Sequence, residues 1–282
     1  MIFVFKIVCP KNKDFNCIII VHKMKPSGII TLLTDFGQQD GFVGTMKGVI
    51  LSTNPKATIV DISHEIPAQD VEAGAFILNN SYRYFPRGTI HVVVIDPGVG
   101  ADRKILAAQS EDYFFIAPDN QVLKYIFHLS ETLTVVAVLN KQFFLNKISR
   151  TFHGRDIFAP VAAHLSTNVG IEQLGQTTQK YDRGIIDQPR ISKSTISGKI
   201  IYSDKFGNLI SNIPAEMIDH PISFIQIGST ILNRLSNAYT EVDVNQPLAI
   251  IGSSGYLEIA VRNGNAKQQL LMDRGEIVTI AF

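Results

Sequence analysis

Residues 28–62 read GIITLLTDFGQQDGFVGTMKGVILSTNPKATIVDI. The run 29–34 is short, largely apolar and ends on Asp35, which is the pattern of a parallel strand covered on both faces. Asp40 is placed to cap a helix running to about Leu51, and Asn54-Pro55 stops it. Residues 58–62 form a second short strand. Strand, helix and strand in succession make a βαβ unit, and this unit sets the class of its neighbours.

The same alternation continues outward. Asp70 opens an amphipathic helix to about Phe85, closed by Pro86 and Gly88. Residues 89–95 are a third apolar strand, ending at Asp96-Pro97-Gly98. Residues 105–108 and 113–117 flank a polar turn and read as a hairpin. Asp119 caps a short helix holding Val122, Tyr125 and Ile126. Residues 133–138 read as a strand, and 153–165 as a helix start plus helix. Alternation of this kind predicts an α/β N-terminal domain, residues 24–175, with a mostly parallel central sheet. Such sheets take ligands beyond the carboxyl ends of their strands, where Asp35 and Asp96 both fall.

From about Gly170 the chain turns polar and aperiodic, and 176–192 is read as a linker. Short strands follow at 197–202, 209–213, 223–227, 247–251, 256–260 and 276–281, separated by Gly, Asn, Asp and Ser. They predict a C-terminal all-β, barrel-like domain over 193–282. Residues 1–23 mix short apolar runs with Lys and make a poor signal peptide. Translation is expected to start at Met24, with 1–23 a non-native or dispensable extension; the alternative is an added edge strand.

Composition narrows the function classes. The chain has 282 residues, 26 Lys and Arg against 25 Asp and Glu, and a net charge of +1, so it carries no charge signature of a nucleic-acid or anionic-membrane binder. No apolar stretch approaches the ~20 residues that span a bilayer. The two cysteines, Cys9 and Cys17, both lie in the first 20 residues, so the body has neither a disulfide framework nor a thiolate metal site. A small-molecule ligand and a reducing cytoplasm fit.

Several short segments can carry chemistry. In Thr34-Asp35-Phe36-Gly37, an acid at a strand end followed by Gly can accept two hydrogen bonds from a ribose diol; as a bland alternative it is a turn residue. No GxGxxG accompanies it. In Asp96-Pro97-Gly98-Val99-Gly100, Pro and Gly fix a tight loop, and Arg103 downstream can pair with the acid. In Thr151-Phe152-His153-Gly154-Arg155-Asp156, an imidazole sits beside free N–H groups at a helix start, where the dipole disfavours its protonation. Its plainer reading is a helix cap, with Arg155 and Asp156 paired on the surface. Phe206 and Asn208 of the DKFGN stretch offer a stacking face and a donor plus acceptor. His64 and Glu65 support a metal only weakly, since no HxxxH or HExxH spacing occurs.

Taken in order, LTDFGQQDGFVGTMKGVI, VDISHEIPAQDVEAGAF, VVVIDPGVGADRK, IAPDNQVL, TFHGRDIFAPVAAHL, DKFGNLISNI and SSGYLEIAVRNGNA resemble the S-adenosyl-L-methionine hydroxide adenosyltransferases, relatives of the fluorinating and chlorinating enzymes. The resemblance runs from about Gly28 to Phe282. It implies an α/β domain followed by a β-barrel-like one. It also implies a homotrimer with active sites at subunit interfaces, no cofactor and no metal. It implies catalytic roles for Asp96, Arg103 and His153, and a ribose contact at Asp35. Contacts to adenine and methionine fall on Asp204, Phe206, Asn208, Ser253, Glu258 and Asn263. In the fluorinating relatives a Tyr and a Ser stand where this chain has Asp96 and Gly154, and an extra loop follows that has no counterpart between Asp96 and Asp119.

The activity the resemblance implies is hydrolysis of S-adenosyl-L-methionine to adenosine and L-methionine. Water attacks C5′, with Asp96 or His153 as base and Arg103 stabilising the developing hydroxide. The alternatives are chloride attack on the same carbon, and a nucleoside-binding protein without turnover.

Overall fold

The structure, a computed structural model, describes residues 5–7, 19–21 and 24–282. Phe5–Ile7 (β1) pairs antiparallel with Ile19–Val21 (β2). The expectation that 1–23 is a dispensable extension otherwise lies outside the described residues. The chain divides into two compact units, Met1–Ile185 and Ile186–Phe282.

The first unit is built on a seven-stranded mixed sheet. Its strands are Ile29–Thr34 (β3), Thr58–Ser63 (β4), Ile90–Val94 (β5), Ile105–Gln109 (β6), Phe114–Pro118 (β7), Thr134–Val138 (β8) and Gly175–Thr177 (β9), in the order β4-β3-β5-β7-β6-β8-β9. The β4-β3-β5-β7 half is parallel; β6, β8 and β9 add antiparallel pairings. The expected mostly parallel sheet therefore holds for one half only. The hairpin read at 105–117 is the antiparallel β6–β7 pair, while alternation with helices does not reveal the antiparallel addition of β8 and β9. Helices Phe42–Thr53 (α1), Val71–Ser81 (α2), Lys124–Leu129 (α3) and Ala159–Ser166 (α4) complete the unit. The core joins Ile30 and Leu32 of β3, Val92 and Val94 of β5 and Ile116 of β7 to Met46 and Ile50 of α1 and Val161 and Leu165 of α4. Each such side chain contributes about 1.5–3 kcal/mol by leaving water.

One feature of this sheet positions the site. The chain leaves β3 for β4 on one side, then returns past β3 to β5 on the other. The crevice at the carboxyl ends of β3 and β5 is thus the topological switch point, where open α/β sheets take ligands. The two strands run in register, Thr34 opposite Val94, so the residues just beyond them emerge side by side.

Several boundaries differ from expectation. α1 starts after Gly41 with no side-chain cap, so Asp40 does not cap it. Asp70 does cap α2, accepting from Ala73 N at 3.0 Å, but the helix ends at Ser81 and a 3-10 turn, Tyr82–Tyr84, follows. Asp119 caps no helix: its carboxylate accepts from Asp182 N at 2.8 Å, and α3 begins later, at Lys124. The segment read as a linker contains part of β9 and the strand Arg190–Ile191 (β10).

The second unit is a nine-stranded, nearly barrel-shaped sheet. To β10 it adds Thr195–Ser203 (β11), Leu209–Pro214 (β12), Phe224–Ile227 (β13), Thr230–Leu232 (β14), Leu235–Ser236 (β15), Pro247–Ile251 (β16), Tyr256–Val261 (β17) and Ile277–Ala281 (β18). All its pairings are antiparallel except β15 with β16. Period-2 burial along β11 turns Ile196, Gly198 and Ile200 inward, as a one-sided strand requires. The short helix Ala266–Gln269 (α5) follows β17. Among the described residues no helix is long and apolar enough to cross a membrane.

Candidate active site

A cavity of about 350 Å³ opens at the switch point, lined by Asp35, Asp96, His153 and Gly154, with Phe36, Phe42 and Phe152 as apolar walls. The three rings pack edge to face or tilted, with centroids 5.2–5.9 Å apart. Asp35 stands directly beyond β3, and its carboxylate accepts from the backbone N–H of Gln69 at 2.8 Å. Gln69 holds a left-handed φ of 65° to present that N–H.

Asp96 lies two residues past the end of β5, after the buried Ile95, and opens the Pro-Gly loop. Gly100 of that loop has φ +79° and packs so closely on the Arg150 carbonyl that a Cβ there would lie 2.3 Å from the oxygen. The tight loop turns Arg103 back: its Nε donates to Asp96 Oδ1 at 2.9 Å, and one terminal nitrogen donates to Oδ2, a two-pronged pair. That terminal nitrogen also lies 3.0 Å from His153 Nδ1. The side chains of Asp96 and Arg103 are nearly buried. His153, 50 residues on, thus joins the Asp96–Arg103 pair, and Asp96 and His153 line the cavity.

His153 heads a π-helical turn, Gly154–Phe158, that runs into α4, where a plain helix was expected. Burial pushes the His153 imidazole below its ordinary range and Arg103 adds to this, opposed by Asp96, Asp156 and a hydrogen bond with the Ser149 backbone. The ring is therefore held neutral. Asp156, a surface partner of Arg155 only on the plainer alternative, is fully buried. Its carboxylate accepts from Ser149 N at 2.7 Å and from Arg155 Nε at 2.6 Å, holding the loop that carries His153.

In the second unit, Asp204 Oδ1 accepts from the backbone N–H of Phe206 and of Asn208, both at 2.9 Å, and Oδ2 accepts from Asn208 Nδ2 at 2.9 Å. This turn lifts the Phe206 ring out, 74% exposed. One N–H of the Asn208 amide is engaged by Asp204; its second N–H and its carbonyl oxygen are not used in that bond. Glu258, buried on β17, accepts from Tyr239 Oη at 2.7 Å. Burial raises its carboxyl and Asp204 adds to that, while the Tyr239 hydroxyl opposes it. Asp204, Asn208, Glu258 and Tyr239 thus form one polar cluster. Ser253 and Asn263 are exposed turn residues, one before and one after β17.

The family model for the SAM hydroxide adenosyltransferase N-terminal domain matches residues 30–175, and that for the C-terminal domain matches 198–279. The chain belongs to the SAM hydroxide adenosyltransferase family. It is 33% identical over 268 residues to the (R)-S-adenosyl-L-methionine hydrolase of Methanocaldococcus jannaschii, covering 90% of this chain and 96% of that one. It is 30% identical to the enzyme of the same name from Thermus thermophilus, covering 87% and 96%. A crystal structure of an uncharacterized conserved protein from Thermotoga maritima superposes with a TM-score of 0.84 at 34% identity, covering 90% of this chain and all of that one.

The Asp96–Arg103–His153 cluster lies within the match to the adenosyltransferase N-terminal domain, and the Asp204–Glu258 cluster within the match to the C-terminal one. Sequence reading missed Gln69, Tyr239 and Asp156. Nothing local announces a left-handed Gln, and Tyr239 sits in a polar turn with no motif. Asp156 carried a weak signal: an acid one turn into a helix that is otherwise apolar through Leu165.

Proposed function

We propose that this protein hydrolyses S-adenosyl-L-methionine to adenosine and L-methionine. The observation that carries the reading is that Asp96 and His153, joined through Arg103, line a cavity that also holds Asp35. Asp35 takes the ribose diol and aims C5′ at the cluster. The aromatic walls Phe36, Phe42 and Phe152 supply π faces against which a sulfonium cation is favoured. Asp204, Phe206, Asn208, Ser253, Glu258 and Asn263 hold adenine and methionine, Phe206 by stacking.

The leaving group needs no acid, because methionine departs as a neutral thioether. The nucleophile needs help. Asp96 accepts from Arg103 at both oxygens, and each oxygen retains a lone pair for a water hydrogen. His153 Nδ1 faces an Arg103 N–H, which can only donate, so Nδ1 accepts and the ring proton resides on Nε2. Asp96 is accordingly the base, and His153 secures Arg103. As the water oxygen bonds C5′, the C5′–S bond breaks with its electron pair going to sulfur, and the water proton passes to Asp96. Arg103 stabilises the hydroxide character that develops. Alignment of water, C5′ and sulfur supplies several kcal/mol more.

An acid at position 96 repels an anion, which disfavours the chloride alternative. A binder without turnover has no use for a carboxylate, a guanidinium and an imidazole joined in one cluster. The relatives' names carry an R descriptor. Because L already fixes the methionine α-carbon, R describes the sulfonium centre, and we assign the same epimer to this chain. The protein acts as a homotrimer with active sites at subunit interfaces, in the cytoplasm and without a cofactor.

The test offers each sulfonium epimer separately in ¹⁸O-water with chloride present. Label on the adenosine 5′-oxygen with the R epimer is the expected result. Formation of 5′-chloro-adenosine, or no turnover of either epimer, overturns the reading. Light scattering of the purified protein checks the trimer.

A further inference from the structure

The Asp35 wall is held from behind by a buried histidine to which the reaction assigns no role. His64 follows β4 and is 2% exposed. Its Nδ1 lies 2.8 Å from Oγ1 of Thr34, the last residue of β3. Its Nε2 lies 3.1 Å from Asp61 Oδ1, and Asp61 Oδ2 accepts from Lys47 Nζ at 2.6 Å. Thr34 Oγ1 accepts from Phe36 N at 3.3 Å, and the His64 carbonyl accepts from Gly37 N at 2.8 Å.

These partners place the protons. Nε2 is not aligned for a hydrogen bond with Asp61, but a carboxylate 3.1 Å away favours the ring hydrogen on that nitrogen electrostatically. Nδ1 then accepts from the Thr34 hydroxyl, and the hydroxyl oxygen is free to accept from Phe36. Asp35 lies between Thr34, whose hydroxyl meets the His64 ring, and Phe36, whose N–H meets that same hydroxyl; the Gly37 N–H meets the His64 backbone carbonyl. The Asp35 carboxylate itself is tied to Gln69, on the loop that His64 begins. Sequence reading noticed His64 only as a poor metal ligand.

We infer that His64 is a positioning residue for substrate: it locks the Asp35–Gly37 turn and so sets the carboxylate that grips the ribose. This rests on the reading of Asp35 given above. Two amide replacements separate the ring's two ends. His64→Asn keeps an acceptor near Nδ1 for Thr34. His64→Gln keeps only a group near Nε2 for Asp61.

His64→Asn is expected to stay within about threefold of the parent KM, and His64→Gln to raise KM for S-adenosyl-L-methionine and Kd for adenosine about tenfold with kcat within about threefold, the signature of lost uniform binding. Thr34→Val should reproduce the His64→Gln rise and serves if the latter does not fold. In an Asp35→Asn background His64→Gln should add less than about twofold to the adenosine Kd, since changes acting through one group do not add. Equal effects of the two His64 replacements, or full additivity with Asp35→Asn, overturn the inference alone. If Asp35→Asn by itself leaves adenosine affinity unchanged, the ribose reading falls, and the inference with it.

Discussion

Arg103 presents a guanidinium nitrogen to Nδ1 of His153 at 3.0 Å while the same guanidinium grips both oxygens of Asp96. A guanidinium nitrogen has no lone pair to offer, so the imidazole must accept there. The cluster can form only while His153 is neutral, and burial together with Arg103 keeps it so to lower pH than an ordinary imidazole.

The proton position on His153 is therefore open to measurement. Long-range ¹H–¹⁵N NMR should find the Nε2–H form, titrating below the ordinary imidazole range. Arg103→Met removes a positive neighbour, and the titration should move up. A His153 that titrates in the ordinary range with its proton on Nδ1 would contradict Asp96 as the base.

Asp156 should matter to both stability and turnover. Burial alone would raise its carboxyl, but hydrogen bonds from Arg155 and the Ser149 N–H outweigh that and hold it below the ordinary value. A depressed acid contributes stability above its unfolded pKa, and this is lost as pH falls through the folded value. Asp156→Ala leaves the Ser149 N–H without its partner, at a cost of about 1–3 kcal/mol. Thermal melts should show the deficit at neutral pH and its narrowing below about pH 4. Single-turnover rates should fall as the His153 loop loosens.

Gly100→Ala tests whether the Asp96 loop is built to one shape. The new Cβ would fall 2.3 Å from the Arg150 carbonyl oxygen, on backbone at φ +79° that disfavours any side chain. Substitution at an incompatible positive φ should cost more than about 1 kcal/mol. Turnover should drop through displacement of Asp96, while adenosine, held by Asp35, still binds near parent affinity. Parent-like turnover would mean that the loop does not fix Asp96.

Glu258 should trade stability for binding. Its carboxyl is raised by burial and by Asp204, so the fold favours the neutral acid. Such a group stabilises fully below its unfolded pKa, and the contribution is lost as pH rises through the folded one. Glu258→Gln keeps an acceptor for Tyr239 and removes the buried charge. Its melting temperature should exceed the parent's by a margin that widens from pH 4 to pH 8, while KM for the substrate rises. A margin independent of pH would show that the fold does not raise the Glu258 carboxyl.

Much of the first unit was readable because its signals are local. β3, β4 and β5 announce themselves as apolar runs closed by Asp or Ser, and Asp70 caps α2 as its position implies. Asp119 misled for an equally local reason: an acid before an apolar turn looks like a cap, yet its carboxylate is taken by Asp182, distant in sequence. β14 and β15, three and two residues long, leave too little pattern to detect.

At the site, Asp35, Asp96, Arg103 and His153 were each visible as residue types in turn or helix-start contexts. Their meeting was expected only through the family resemblance, since nothing within one segment specifies contact with another. Asp156, Gln69 and Tyr239 were missed because each takes its role from a partner on a different segment or from a backbone angle.

The amino-acid order alone determined most of the longer strands and helices, because alternation, caps and turn residues act over a few neighbouring positions. It also placed acids just past two strand ends. Only the tertiary structure set β3 beside β5 so that those acids share a crevice, turned half the sheet antiparallel, and assigned the His153 and His64 protons. Strand partnership and proton position are decided by groups distant along the chain, and those distances close only when the chain has folded.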